Sequence, residues 1–232
     1  MNSRERIRTI IDGGVPDRCG FWLGNPHDDT WPLYFEAFGV SDKESLRRAL
    51  GDDYRWISPE WSAYRHPDGT PIFDFQRRGF ELSAAGAFAD TTSVDEVEAF
   101  DWPNPDYLDF DETVDELDRA GEVYRASGFW CPFFHQVANF MGMENYFIQM
   151  YENPEVVHAI TRHVVGFYAE ANRRFFERAG DRVDGDFFGN GFGCQLDLLI
   201  SPAHCDEGVA PYGRQLTAVG HAWGAQVCLH AC

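Results

Sequence analysis

The sequence predicts an α/β protein built on a parallel sheet, and three observations lead there. Helical and extended patterns alternate along most of the 232 residues, the signature of strands joined by helical crossovers. Two helices open on a capping residue followed by proline, at Asn153-Pro154-Glu155 and Ser201-Pro202, and each hands over to a strand through a glycine, Gly180 or Gly224. No G-x-G-x-x-G follows the first strand and no G-x-x-x-x-G-K-S/T occurs, so nucleotide-binding versions of an open sheet lose support. Pattern alone leaves a closed barrel and an open doubly wound sheet as alternatives.

Taken in order, Ser3 to Asp12 reads as a short helix with Ser3 as its cap, stopped by Gly13-Gly14. Cys19 to Gly24 is a first strand, and Asn25-Pro26-His27-Asp28-Asp29 is a polar loop at its C-terminal end, where barrel enzymes place chemistry. Trp31 to Leu50 gives two helical pieces broken at Gly39. Tyr54 to Ser58 is a second strand with Pro59-Glu60-Trp61 beyond it, Glu60 being either a surface carboxylate or a pocket group. Residues 62 to 90, with the turn cluster His66 to Pro71, read as an inserted antiparallel hairpin. Thr113 to Ala120 is a helix, Val123 to Ser127 a third strand, and Gly128 to His135 an aromatic segment that is either core or a pocket wall. The clearest helix opens at Asn153 and buries Val157, Ile160, Val164, Phe167, Ala171 and Phe175, spaced by three and four. Arg182 to Phe188 is strand four. A helix from Ser201 to about Trp223, kinked at Pro211, leads to strand five.

Composition narrows the function. Nineteen basic against thirty-eight acidic residues give a net charge of −19, which argues against a nucleic-acid partner. No apolar run approaches the roughly 18 residues of a membrane helix, so no membrane partner is expected. The opening Met-Asn-Ser-Arg-Glu-Arg lacks a secretory core, which places the chain in the cytoplasm. Six cysteines, at 19, 131, 194, 205, 228 and 232, are scattered and contain no Cys-x-x-Cys pair. Any metal would be held by ligands distant in sequence.

The last strand carries the most chemistry. In Gln226-Val227-Cys228-Leu229-His230-Ala231-Cys232, alternation puts Val227, Leu229 and Ala231 on one face and Cys228, His230 and Cys232 on the other. Side chains two apart lie roughly 7 Å from one another, close enough for a His nitrogen and a Cys sulfur to reach one zinc ion.

Four stretches, in order along the chain, together resemble the uroporphyrinogen decarboxylase superfamily, which includes corrinoid-linked methyltransferases. They are Ser3-Arg4-Glu5-Arg6 to Pro16-Asp17-Arg18; Asn153-Pro154-Glu155-Val156-Val157; Gly189 to Gln195 with Leu199-Ile200-Ser201-Pro202; and Val227 to Cys232. The resemblance implies a (β/α)8 TIM barrel with its site at the C-terminal strand ends. Five strand–helix units in a single domain, 1–232, imply a partial barrel truncated at its C-terminus.

Two branches make different demands. The decarboxylase branch carries an Arg-rich segment for substrate carboxylates, whereas the corresponding loop here, Trp22 to Asp29, has no arginine. The methyltransferase branch holds zinc with H-x-C at a strand end, a pattern matched by His230 and Cys232, and works with a corrinoid, on a partner protein, as co-substrate. This implies methyl transfer between a small methylated substrate or thiol and the corrinoid, with zinc activating the nucleophile or leaving group. Trp22, Asn25, Glu60, His135, Asn190 and Gln195 are the candidates for contacting a small-molecule substrate. Relatives often have two Asp where this chain has Asn190-Gly191. The alternatives are a metal-free decarboxylase of a carboxylated substrate and a non-catalytic binding protein on the same fold.

Overall fold

The computed structural model describes residues 1–59 and 63–231. Four strands, β1 (Tyr54–Trp56), β2 (Tyr124–Ser127), β3 (Gly185–Asn190) and β4 (Gln226–Ala231), form one parallel sheet in the order β1-β2-β3-β4. Among the described strands the order follows the chain without reversal. Register sets the faces: Tyr54 pairs with Tyr124, Trp56 with Ala126, Ala126 with Gly185, and Gly185 with Gln226. Tyr54, Trp56, Tyr124, Phe187, Cys228 and His230 therefore share one face. Arg55, Ser127, Asp186, Phe188 and Val227 share the other, where Phe188 and Val227 join the main helix-packed core.

Where five strands are expected, the described residues form four. Cys19 to Gly24 runs beside β1 but makes no ladder with it, because its donors are taken by side chains. The Phe21 N–H donates to Asp53 Oδ2 at 3.0 Å and the Leu23 N–H to Asp52 Oδ2 at 3.1 Å.

Ten helices are described. α1 (Ser3–Ile11) is capped by Asn2 rather than Ser3, in a capping box with Glu5. Ser3 instead donates its hydroxyl to Asp53 at 2.7 Å. α1 lies against the N-terminal end of the sheet through its arginines: Arg6 pairs with buried Asp53 at 2.8 Å, and Arg4 and Arg8 pair with buried Asp184 at 2.5 and 2.7 Å. Asp53 and Asp184 immediately precede β1 and β3. Burial alone would raise the Asp53 carboxyl, but the Ser3 hydroxyl, Arg18 and the Phe21 N–H hold it below the ordinary range. α2 (Thr30–Phe38) and α3 (Lys43–Ala49) are the two pieces flanking Gly39.

The segment from Ala63 to Phe110 is not a hairpin. It holds α4 (Val94–Glu98), a 3₁₀ turn at Pro105–Tyr107 and otherwise irregular chain, with one isolated bridge, Tyr64 to Leu108. Two backbone bonds join its arms, from the Ala87 N–H to the Phe75 carbonyl at 2.8 Å and from the Arg78 N–H to the Ala85 carbonyl at 2.9 Å, but they build no ladder, and its rings are claimed by the helix beneath. α5 (Asp111–Ala120) precedes β2, and α6 (Phe133–Met141) follows it. The Phe88 N–H donates to the Phe140 carbonyl at the end of α6, at 2.8 Å. Phe75, Phe88 and Trp102 set their rings 4.8, 5.3 and 5.2 Å from that of Phe140. A ladder within the segment would compete with these contacts.

α7 (Met143–Glu152) and α8 (Pro154–Ala179) complete the β2 to β3 crossover. α8 buries the apolar stripe read from its spacing, while α6 and α7 fall where aromatic density masks any clean period. The helix expected from Ser201 to Trp223 divides into α9 (Pro202–Gly208) and α10 (Ala210–Ala222), with Pro211 in the first turn of the second. No helix among the described residues is long and apolar enough to cross a membrane.

Close approach makes Gly86 irreplaceable: a Cβ there would lie 2.3 Å from the Asn139 carbonyl oxygen. Gly166, inside α8, has nothing within 4 Å of such a position. Gly86→Ala is expected to lower the free energy of unfolding by roughly 2 kcal/mol or more, and Gly166→Ala to raise it by roughly 0.5–1 kcal/mol. Urea titration of both variants checks this contrast.

Candidate functional site at the strand ends

A cavity of about 560 Å³ opens beyond the C-terminal ends of β1 and β2. Its floor and walls come from Trp56, Ser58 and Pro59 after β1, and from Phe129, Trp130, Cys131 and Pro132 after β2. Asn25 closes one side from the loop after the first extended segment, with Ile72 and Tyr168 at another. Among the described residues no charged side chain lines it.

The wall after β2 has an irregular backbone, with Gly128 at φ +93° and Cys131 at φ +49°. Backbone bonds satisfy part of this stretch, the Cys131 carbonyl accepting the Phe133 N–H at 2.8 Å and the Trp130 carbonyl the Gly189 N–H at 2.9 Å, and three side chains meet other groups. Ser58 donates its hydroxyl to the Gly128 carbonyl at 2.8 Å. Asn172, on the core face of α8, accepts the Phe129 N–H at 2.8 Å. Asn190, at the end of β3, accepts the Phe134 N–H and donates to the Cys131 carbonyl, both at 3.0 Å. The two asparagines are 1% and 2% exposed, so neither bond competes with water.

Inside this frame the rings pack tilted or edge to face. Trp130 sits 5.2 Å from Trp56 and 5.5 Å from Phe187, and Trp22 packs on Tyr54 at 4.7 Å and Phe187 at 5.7 Å. Burial pushes the hydroxyls of Tyr54 and Tyr124 well above the ordinary tyrosine range, so both stay protonated. His230 lies on the same sheet face, exposed, with its ring 5.6 Å from Trp130. Its register partner Gly189 leaves the room for this pair, since a Cβ there would lie 2.5 Å from the Trp130 ring and 2.9 Å from the His230 Cβ. Cys228 points the same way and is half-buried, its thiol raised by burial and by the Asp186 charge.

The candidates named from sequence thus divide by position. Asn25 lines the cavity, Trp22 belongs to the adjoining aromatic cluster, and His230 stands beside the Trp130 wall. Asn190 braces that wall from behind. His135 accepts the Gly191 N–H on Nε2 at 3.2 Å, which assigns its proton to Nδ1, and burial lowers its pKa. Gln195 is exposed in the loop after β3. Glu60 and Cys232 lie outside the described residues. Among the described residues no group of three or more His, Cys, Asp or Glu could hold a metal. Trp56, Tyr168 and Asn172 were not singled out by sequence reasoning. Asn172 left one signal, an amide beside Ala171 on a helix face that is otherwise apolar.

Asp186 is a buried carboxylate with no compensating partner. It sits on the helix-facing side of β3, 0% exposed, and neither carboxylate oxygen has a hydrogen-bond partner. Gly220 of α10 and Gly128 make its room: a Cβ at either would come within 2.7 and 2.5 Å of its oxygens. Burial raises its pKa to about 7. The folded chain therefore holds a proton that the unfolded chain releases near pH 4, so this group's contribution to stability falls as pH rises toward 7. Asp186→Asn is expected to gain stability over the wild type by roughly 2–3 kcal/mol between about pH 5 and about pH 8, checked by denaturant titration at each pH. Asn190→Ala leaves the buried Phe134 N–H unpaired and takes one of two donors from the Cys131 carbonyl, which keeps the Phe133 N–H at 2.8 Å, and is expected to cost roughly 1–3 kcal/mol by the same measurement.

No family model matches the chain, and no curated protein matches it in sequence. Among solved structures, a methyltransferase from Methanosarcina mazei superposes on it with a TM-score of 0.60 at 9% identity, covering 100% of this chain and 70% of that one. The likeness is one of fold.

Proposed function

We propose that this chain is a methyltransferase of the uroporphyrinogen decarboxylase superfamily, its four strands an arc of a (β/α)8 barrel. In this reading it moves a methyl group between a small substrate and a corrinoid carried by a partner protein. The observation that supports it best is the uncharged, aromatic cavity at the strand ends with the His230 imidazole beside its wall. A methyl group in transit needs an apolar enclosure that excludes competing water, and Trp56, Phe129, Trp130 and Tyr168 supply one. A substrate bearing several carboxylates would need guanidinium forks, and none lines the cavity among the described residues. That disfavours the decarboxylase alternative.

His230 and Cys232 would hold zinc, an imidazole and thiolate pair suited to that ion. When bound, zinc would lower the pKa of a substrate thiol or polarise a methylated leaving group. His230 suits the role because its ring is open to solvent on the cavity face and is steadied by Trp130. Ser58, Asn172 and Asn190 would keep the wall fixed while substrate is oriented against it. Asn25, the polar group at the cavity's edge, would hydrogen-bond the substrate.

The test uses purified full-length protein with methylcobalamin and thiols, or with Co(I) corrinoid and methylated donors, following the corrinoid absorbance. Turnover with about one zinc per chain, reduced at least about 100-fold in His230→Ala, is the expected result. A metal-free protein that leaves the corrinoid unchanged and releases carbon dioxide from a carboxylated substrate would replace this reading with the decarboxylase one.

A further inference from the structure

β1 has a second cavity behind it. Trp56 faces the candidate site, whereas Arg55 points to the opposite side, into a cleft of about 320 Å³ between α3 and α5. Glu44, Arg47, Arg55, Glu116 and Arg119 line that cleft. The acidic groups around it are already engaged. Glu44 is held by Arg55 through two bonds of 2.8 and 3.2 Å and by Arg48 at 2.8 Å. Asp52 accepts the Tyr54 and Leu23 N–H groups at 3.0 and 3.1 Å, and Glu116 has an interaction of its own.

Donors are left in excess. Arg47 has a buried Nε without a hydrogen-bond partner, and its guanidinium, 5.7 Å from the Trp31 ring centre, makes no ion pair among the described residues. Arg119 on α5 is exposed and likewise has no hydrogen-bonding partner among the described residues. Burial and the neighbouring Arg55 both disfavour the charged form of Arg47, only partly offset by Asp52, Glu44 and Glu116. Underpaired guanidinium groups gathered in one cleft of a chain with net charge −19 call for an acceptor from outside.

We propose that this cleft binds a compact oxyanion, the phosphate group of a small molecule, between Arg47 and Arg119. Guanidinium forks match the paired oxygens of phosphate. The cleft has room for more than the bare ion, so a small phosphate ester fits the space as well as the charge. The site is separate from the strand-end cavity, and the proposal stands whether or not that cavity transfers methyl groups.

The test titrates full-length protein with inorganic phosphate, against chloride at matched ionic strength, by calorimetry and thermal unfolding. Phosphate is expected to bind saturably and raise the midpoint of unfolding, with chloride giving no such rise. Arg47→Ala and Arg119→Ala should each weaken phosphate at least about tenfold, and Arg65→Ala, outside the cleft, should leave it unchanged. If Arg47→Ala does not fold, Arg119→Ala decides, because that side chain is exposed. An equal response to chloride, no saturable binding, or phosphate binding by Arg119→Ala at wild-type affinity would overturn the proposal.

Discussion

The candidate site depends on two buried side-chain amides. Asn172 and Asn190 bond backbone groups of an aromatic loop that belongs to no helix or strand, and by doing so they fix Phe129, Trp130 and Cys131 as a wall. Their partners are far apart in sequence, so the loop is locked to α8 and to β3 at once. Because both amides are out of water, losing either leaves an unpaired polar group rather than a hydrated one. The remaining features of the site follow from that fixed wall. Trp130 can pack against Trp56 and Phe187, Gly189 can admit it, and His230 can stand beside it.

Charge is arranged by the two ends of the sheet. At the N-terminal end the arginines of α1 meet Asp53 and Asp184, ion pairs whose carboxylates are buried and multiply bonded. These belong to stability. At the C-terminal end the described cavity lining is uncharged, which leaves chemistry to the groups at its rim. Asp186 departs from both arrangements: a carboxylate buried without a partner, tolerated because glycines on α10 and in the wall loop give it space. Its position beneath the wall and beside β4 couples protonation to the stability of the elements that carry the site.

The parallel α/β class was legible from helix and strand alternation, and α8 was legible almost residue by residue because its apolar spacing is long and regular. Two glycines, Gly180 and Gly224, marked where strands begin. The first strand was misread because apolar extended chain looks the same whether its donors meet a neighbouring backbone or the carboxylates of Asp52 and Asp53. The expected hairpin failed for a related reason: Phe73, Phe75 and Phe88 have the spacing of short strands, but their rings converge on Phe140, a tertiary contact that local pattern does not record. At the site, strand alternation placed Cys228 and His230 on a common face, as register with β3 does. The framework role of Asn190 was invisible because a polar residue at a strand end reads equally as ligand contact or brace. Trp56 and Tyr168 were hidden among the ordinary aromatics of a strand and a helix.

The proposed chemistry requires His230 and Cys232 to converge on one ion at the cavity's edge. Zinc-edge X-ray absorption of the full-length, zinc-loaded protein reads this directly. A first shell containing nitrogen at about 2.0 Å and sulfur at about 2.3 Å, with the nitrogen scattering of imidazole lost in His230→Ala, is the result the account requires. A shell of oxygen alone, or one unchanged by that substitution, would contradict it.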